Sequence, residues 1–212
     1  MRFTPYIICL LLSTSLLSCL EIGDKIVDWT LAEEGDMVFE GEHHILEEEG
    51  IRIFLPKVFK RYSMAEYQQV VKKLLSEGDF NKYLGELELK RNAGGQLYIY
   101  FDDESLSTLT VNTTKFEPMS RNDAQQLLGY IRIGNEKELA VDEEFTKVSA
   151  KYLGIPEDYV FKSVHKIHSP KTDTEYFNSV YIVSRNNQTV IYHLLTGSDV
   201  YFDPFVEKIE LR

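Results

Sequence analysis

Cysteine is nearly absent from this chain of 212 residues, which contains Cys9 and Cys19 alone. Both lie close to the N-terminus, so the rest of the chain has no disulfide framework and no thiol chemistry. Low-complexity tracts are also absent, whereas tyrosine and phenylalanine occur 13 and 12 times. This composition is typical of a folded domain and not of a disordered chain.

Positive charge is the second shortage. The chain has 23 basic and 34 acidic residues, which gives a formal net charge of −11. This balance argues against nucleic-acid binding and against adhesion to anionic lipid headgroups by charge. The acidic residues are spread along the chain, apart from Glu47-Glu48-Glu49, and are interpreted as a solvated surface.

The N-terminus has the pattern of an exported protein. Arg2 provides a positive charge, residues 6–17 are apolar over a length too short to cross a bilayer comfortably, and Ser18 is small. The segment Leu16-Leu17-Ser18-Cys19 resembles the bacterial lipobox, although small or β-branched residues are commoner where Leu17 stands. The resemblance implies that residues 1–18 are a signal peptide, and that Cys19 begins the mature protein with a diacylglyceryl group on its thiol and an acyl group on its amine.

Lipidation would make the lipid itself the membrane anchor, with two or three chains holding the protein stably. Under the usual retention rule, Leu20 after Cys19 favours the outer membrane of the bacterial envelope. The alternatives are an ordinary secretory signal cleaved near Ser15 or Ser18, or a short membrane anchor. Removal of 18 residues leaves 194, enough for a core. We interpret residues 19–28 as a tether that reaches about 30 Å when extended, and 29–212 as a single domain.

Apolar periodicity predicts an α+β fold for that domain. Strands are predicted at 51–55, 96–102, 106–116, 159–167, 176–185 and 188–195, with a weaker strand pattern at 29–39. The strand at 96–102 is bulky on both faces, so we expect both faces to be covered. Asn186-Asn187 suits a two-residue hairpin turn, because asparagine tolerates positive φ.

Capping signals predict five helices. The capping boxes Ser63-x-x-Glu66 and Ser120-x-x-Asp123 each begin one, and these helices are expected to end at Gly78 and Gly134. A weaker helix carries Phe80, Tyr83, Leu84 and Leu87 on one side. Asp142 is predicted to cap a helix, and Asp203 is predicted to cap a short helix with Pro204 at its first position. The apolar residues of the Asp142 helix would be Phe145, Val148, Tyr152 and Leu153.

The order of elements from Ile51 to Ile209 resembles the PsbP-like α/β/α sandwich, the fold of the extrinsic photosystem II subunit. The residues that carry the resemblance are Ile51-x-Ile53-x-Leu55-Pro56, the strand patterns at 177–184 and 189–195, and Phe205-x-x-x-Ile209. The resemblance implies an antiparallel sheet with helices packed on it, and an accessory or binding protein without catalytic residues. The extra helical content between Phe80 and Arg91 departs from it and would also fit a different α+β fold.

Metal-ligand residue types cluster at His43-His44 and Glu47-Glu48-Glu49. No second histidine pair stands at helical spacing, and adjacent histidines on an extended chain point in opposite directions, so an exposed acidic loop is favoured over a metal site. Asp102-Asp103-Glu104 lacks the glycine and distal glutamate of a calcium loop and is interpreted as a charged hairpin end. Gly94-Gly95 is too short to cradle a phosphate, so no cofactor is expected.

A hydrolase would have to use His193 with Ser198 or Asp199. Ser198 lies in Thr196-Gly197-Ser198-Asp199, which lacks the glycine-serine-glycine elbow and resembles a turn. His165 and His168 lie on opposite faces of one predicted strand, and His165 is expected to be a hydrogen-bonded core residue.

Four tyrosines on predicted strands could line a surface for a protein partner in the cell envelope, since tyrosine offers amphipathic contact area. They are Tyr98, Tyr100, Tyr181 and Tyr192. Burial between sheet and helix is the alternative. Three hypotheses remain: a lipid-anchored accessory protein without catalytic activity, a small periplasmic hydrolase, and a metal- or solute-binding lipoprotein that uses His43 and His44.

Overall fold

The computed structural model describes residues 39–92, 94–139 and 143–211. Its elements, in chain order, are β1 (Glu42–Leu46), β2 (Ile51–Leu55), β3 (Lys60–Tyr62), α1 (Met64–Leu74), α2 (Glu77–Asn92), β4 (Leu97–Phe101), β5 (Thr108–Lys115), α3 (Arg121–Glu138), β6 (Glu144–Ile155), β7 (Asp158–Ser169), β8 (Thr174–Arg185), β9 (Gln188–Thr196) and α4 (Asp203–Glu207).

Seven strands form one antiparallel sheet in the order β3-β4-β5-β9-β8-β7-β6. One face, here called the helix face, packs against α1, α2 and α3. The other, the hairpin face, packs against the β1–β2 hairpin and α4. Because side chains alternate along a strand, Tyr181 joins the hairpin-face core while its neighbour Ile182 joins the helix-face core. The α+β prediction and the covering of both faces are confirmed.

Ser63 and Ser120 cap α1 and α3 with complete capping boxes, as predicted. The predicted ends of these helices are wrong. Helix α1 stops at Leu74, Gly78 lies in the first turn of α2, and Gly134 is buried inside α3. Glycine lowers helix propensity by about 1 kcal/mol, and the packing of these helices on the sheet outweighs that cost.

The prediction of a helix that carries Phe145 and Tyr152 is wrong, because this segment is β6, an edge strand of the sheet. A β-bulge between Lys147 and Ser149 inserts one residue. The insertion places Phe145 and Tyr152, which are seven residues apart, on the same face of the strand. Residues seven apart also share one face of a helix, because they are separated by about two turns, and the sequence pattern therefore resembled a helix. Asp142, the predicted cap, lies outside the described residues.

Helix α4 also begins differently from the prediction. Its N-cap is Phe202, so Asp203 occupies the first helical position and Pro204 the second. The Asp203 carboxylate accepts hydrogen bonds from the sheet instead of capping the helix. Phe205, Val206 and Ile209 are buried, as predicted.

Candidate functional site

The four tyrosines proposed as a partner surface are buried, each with at most 7% of its surface exposed. They are Tyr98, Tyr100, Tyr181 and Tyr192. Cross-strand pairing aligns them on the hairpin face, beneath the β1–β2 hairpin and α4. The interpretation as an exposed surface is therefore corrected, because the hairpin and α4 cover the sheet at these positions.

The acidic run between β1 and β2 helps to dock this hairpin. The Glu49 carboxylate accepts hydrogen bonds from Tyr98 Oη at 2.7 Å and Thr113 Oγ1 at 2.6 Å, and Glu48 accepts one from the Gln96 side chain. Burial and the bond to Glu49 raise the pKa of the Tyr98 hydroxyl. The carboxylates of Glu48 and Glu49 are thus engaged with the sheet.

His43 and His44 lie on β1 and contact different residues. The His43 ring centroid is 5.0 Å from that of Phe54, and the His44 ring centroid is 5.0 Å from that of Tyr100. Nowhere in the described ranges do three His, Cys, Asp or Glu side chains converge as metal ligands. The predicted divergence of adjacent histidines is confirmed.

The Asp102-Asp103-Glu104 turn is held by bonds within the protein. Asp102 accepts hydrogen bonds from the Glu104 backbone and the Ser105 hydroxyl. Asp103 accepts from Lys60 Nζ at 2.9 Å and Tyr62 Oη at 2.8 Å. Both carboxylates therefore serve the hairpin end, as the sequence predicts.

His193 lies in a buried polar group on the helix face. Its Nδ1 is 2.7 Å from Lys90 Nζ, and its Nε2 is 2.7 Å from Asn178 Oδ1. Because Asn178 Oδ1 can only accept, Nε2 carries the hydrogen and Nδ1 accepts from Lys90. Burial lowers the pKa of Lys90, and burial together with the Lys90 charge lowers the pKa of His193 well below its usual value.

This arrangement does not assemble the hydrolase hypothesised from the sequence. Both ring nitrogens of His193 are occupied by Lys90 and Asn178, whereas a triad requires one of them to face the nucleophile. Ser198 and Asp199 are exposed in the loop after β9, where the Ser198 backbone oxygen accepts a bond from Thr196 Oγ1.

His165 is a buried, hydrogen-bonded histidine, as predicted. Its Nδ1 is 3.1 Å from Ser163 Oγ, and the Phe145 ring stacks on it at 4.6 Å. Burial lowers the pKa of His165 to about 4, and the positive charge of Lys147 adds to this effect. His168 lies on the opposite face of β7, with Nδ1 3.6 Å from Glu175 Oε1.

An open cleft of about 140 Å³ lies on the hairpin face between α4 and the last strands of the sheet. Its floor is an aliphatic row across β6, β7 and β8, formed by the register partners Leu153, Val160 and Val183. Val206 of α4 contributes a fourth aliphatic wall. Leu153 is 52% exposed, so the cleft is open on the side of β6.

Cationic residues lie on both sides of the aliphatic row. Lys151 and Lys162 are register partners in the next row, and Arg185 lies on the other side. Lys162 Nζ is 2.5 Å from Asp203 Oδ1, which also accepts a 2.9 Å hydrogen bond from Tyr181 Oη. Lys162 and Asp203 are only 16% and 21% exposed, so this ion pair is well protected from solvent.

The hydrogen-bonded network of Lys162, Asp203 and Tyr181 attaches α4 to the sheet and forms one end of the cleft. The ammonium of Lys162 also lies 5.6 Å and 5.9 Å from the ring centroids of Tyr181 and Tyr201, within cation–π range. Burial and the Asp203 charge raise the pKa of the Tyr181 hydroxyl, which keeps it a donor. The donors Lys162 and Tyr181 and the acceptor Asp203 therefore already have their hydrogen-bond partners within the protein.

Sequence reasoning did not find this cleft, although it selected Tyr181 and assigned Asp203 to a cap. Lys162 lies between Val160 and Val164 on one face of β7, which is otherwise apolar there. A charged residue at such a position is the sequence signal that could have indicated the cleft.

The lipobox residues Leu16, Leu17, Ser18 and Cys19 lie outside the described residues, so the lipidation prediction stays a prediction. The strand pattern at 29–38 is outside them as well. Within the described ranges, no helix is both long and apolar enough to span a membrane.

Comparison with known proteins identifies the fold. No family model matches the sequence, and no curated protein is similar to it. The solution structure of cyanobacterial PsbP (CyanoP) from Synechocystis sp. PCC 6803 superposes with a TM-score of 0.50 at 11% identity, over 85% of this chain and 98% of that chain. A crystal structure from Bacteroides thetaiotaomicron VPI-5482 matches with a TM-score of 0.44 at 11% identity, over 81% of this chain and 48% of the other. The chain therefore has a PsbP-like fold.

Proposed function

We propose that this protein is a lipid-anchored accessory protein of the bacterial cell envelope, and that it binds a ligand or partner at the cleft without catalysing a reaction. The observation that carries the proposal is the cleft itself. It combines an aliphatic floor with charged groups at its sides, the usual composition of a binding site.

The arrangement of the titratable groups supports binding over catalysis. The ion pair of Lys162 and Asp203 is satisfied internally, so neither group is poised to transfer a proton. On the helix face, both ring nitrogens of His193 are engaged. The cleft thus holds and orients a molecule and leaves its bonds unchanged.

The anchor is the lipid on Cys19, supported by the Leu16-Leu17-Ser18-Cys19 motif. Leu20 directs the protein to the outer membrane. The short tether at residues 19–28 keeps the domain, and its cleft, within about 30 Å of the membrane. A partner in the same membrane or in the adjacent periplasm is within reach.

The anchor is tested with Cys19→Ala behind a leader that signal peptidase I removes. We expect the wild type to fractionate with membranes and the variant to become soluble with an unchanged far-UV circular dichroism spectrum, because the variant lacks the thiol that carries the proposed lipid. Mass spectrometry of the wild-type N-terminus should show an acylated Cys19. An unmodified thiol, or a wild type that is soluble without detergent, would contradict the proposal.

A further inference from the structure

We infer that the cleft binds a small carboxylate with an apolar body of about the size of a benzene ring. This inference rests on the proposed binding function and names the chemical class that the cleft selects. It follows from the size of the cleft, from its aliphatic floor, and from which of its charged groups are free.

The size of the cleft limits the apolar part of the ligand. Its volume is about 140 Å³, and apolar cavities of roughly 150 Å³ accommodate benzene. The accessible part of the aliphatic floor is formed by Leu153, which is 52% exposed, and the half-buried Val160, whereas Val183 and Val206 are buried and close the floor beneath α4. One aromatic ring or branched aliphatic group would fill this space and remove the remaining exposed apolar surface from water.

The charges around the floor favour an anionic group on that ligand. Lys162 is neutralised by Asp203, but Lys151 has no ion-pair partner among residues 39–92, 94–139 and 143–211. Arg185 is ion-paired with Asp158, with Nε 3.4 Å from Oδ1, which offsets its charge. This contact is not a hydrogen bond, so the guanidinium retains donors for a second acceptor, while Lys151 carries the unpaired positive charge. Free donors therefore lie on both sides of the aliphatic row.

Glu207 sets the orientation of the ligand. It lies on the α4 side of the cleft, is exposed, and is the acidic lining residue besides the neutralised Asp203. Its charge repels an anion from the helix side, whereas Lys151 on β6 attracts it. We expect the carboxylate to lie against β6 and the apolar body to lie beneath α4.

The shared chemistry is an apolar group next to a carboxylate, which is found in free small acids and at the C-terminus of a protein ending in an apolar residue. Two probes distinguish these sources. One is 3-phenylpropanoate, and the other is an unstructured hexapeptide that ends in phenylalanine with a free carboxyl group. The amides of both probes serve as uncharged controls.

The experiment is a titration of isotope-labelled chain from residue 19 onward, carrying Cys19→Ala, followed by NMR. We expect 3-phenylpropanoate to shift cleft resonances with a dissociation constant of about a millimolar, as its few heavy atoms allow. Its amide should bind at least fivefold more weakly. A peptide that binds at least tenfold more tightly than 3-phenylpropanoate would identify a protein C-terminus as the source, and equal or weaker binding would identify a free acid.

Three single variants test the roles of the charges. Lys151→Met should weaken 3-phenylpropanoate binding about fivefold and leave binding of the amide unchanged, whereas Glu207→Gln should strengthen binding of the acid. Lys166→Met is the matched control, because Lys166 lies on the same face but is paired with Glu175 at 2.8 Å, outside the cleft. It should leave both affinities unchanged.

Two results would overturn the inference in distinguishable ways. Equal binding of acid and amide in the cleft would refute the carboxylate class and leave the binding function intact. Failure of every probe to shift cleft resonances would count against both the class and the use of this cleft for binding, while the membrane fractionation would still decide the anchor.

Discussion

Three polar residues on the helix face are linked to one another by hydrogen bonds. Lys90, His193 and Asn178 form a chain of two 2.7 Å contacts in the middle of the helix face. Burying an ammonium group is costly unless it finds a partner, and a neutral histidine supplies the acceptor here. Both shifts in pKa have the same physical origin, since water is excluded between α2 and the sheet.

His165 should make the protein sensitive to acid. In the fold its pKa is about 4, whereas in the unfolded chain it takes up a proton near 6.5. Between these values the unfolded chain binds more protons, so the free energy of unfolding decreases as pH falls from 6.5 to 4. The depression is worth about 3 kcal/mol, at about 1.4 kcal/mol for each pH unit.

Urea unfolding at several pH values measures this contribution. His165→Gln keeps a side chain that can bond Ser163 and removes the titration. The variant should therefore lose less stability than the wild type between pH 6.5 and 4. The buried His193 contributes equally to the pH dependence of the free energy of unfolding in both proteins, so its contribution cancels in the comparison. Equal pH dependence of the two proteins would count against a buried neutral His165.

The elements show which local rules decided the structure. Capping boxes at Ser63 and Ser120 predicted the starts of α1 and α3, because those signals depend on a few neighbouring residues. Segment β6 was misassigned because its bulge imitates a helical repeat, and the bulge is defined only by pairing with β7. Features that depend on neighbouring residues, such as helix caps, could therefore be predicted from the sequence, whereas the register between distant strands could not.

The cleft was missed for the same reason. Its residues come from β6, β7, β8 and α4, and only the strand register brings Lys151, Lys162 and Arg185 around one aliphatic row. Asp203 was assigned to a cap because its position before Pro204 resembles one. Its actual role requires Lys162, which lies 41 residues away in the chain.

The β8–β9 turn offers a sharp test of an element that the sequence did predict. Asn186 and Asn187 have φ of 52° and 60°, in the left-handed region, and Asn187 is exposed. Alanine is strained there by about 1 kcal/mol, whereas glycine is not. We expect Asn187→Ala to lower the free energy of unfolding by about that amount, and Asn187→Gly to keep or slightly raise it.

Chemical denaturation of the three proteins measures the difference. The glycine and alanine variants both remove the asparagine side chain, so their comparison isolates the backbone conformation. Equal stability of the two variants would mean that residue 187 does not hold a positive φ in solution.

At the scale of the whole molecule, one sheet is shared by cores on both faces. Strands β8 and β9 supply Tyr181 and Tyr192 to the hairpin-face core, and Ile182 and Ile191 to the helix-face core. Neither layer can lose its packing without exposing the other side of the same strands. The fold should therefore unfold as a single cooperative unit, as domains of this size usually do.

Truncation of one core residue on each face tests this cooperativity. Ile53 in the hairpin and Leu127 in α3 are at most 1% exposed, so Ile53→Ala and Leu127→Ala should each cost about 2–5 kcal/mol. Ile133→Ala, at a residue that is 43% exposed on α3, is the control and should cost about 0.5 kcal/mol or less. Thermal unfolding followed by far-UV circular dichroism and by tyrosine fluorescence should give one coincident transition in every variant. If Ile53→Ala instead produced an early transition in fluorescence alone, the hairpin would unfold independently of the sheet. The cleft beneath α4 would then depend on a layer, formed by the hairpin and α4, that can separate from the sheet.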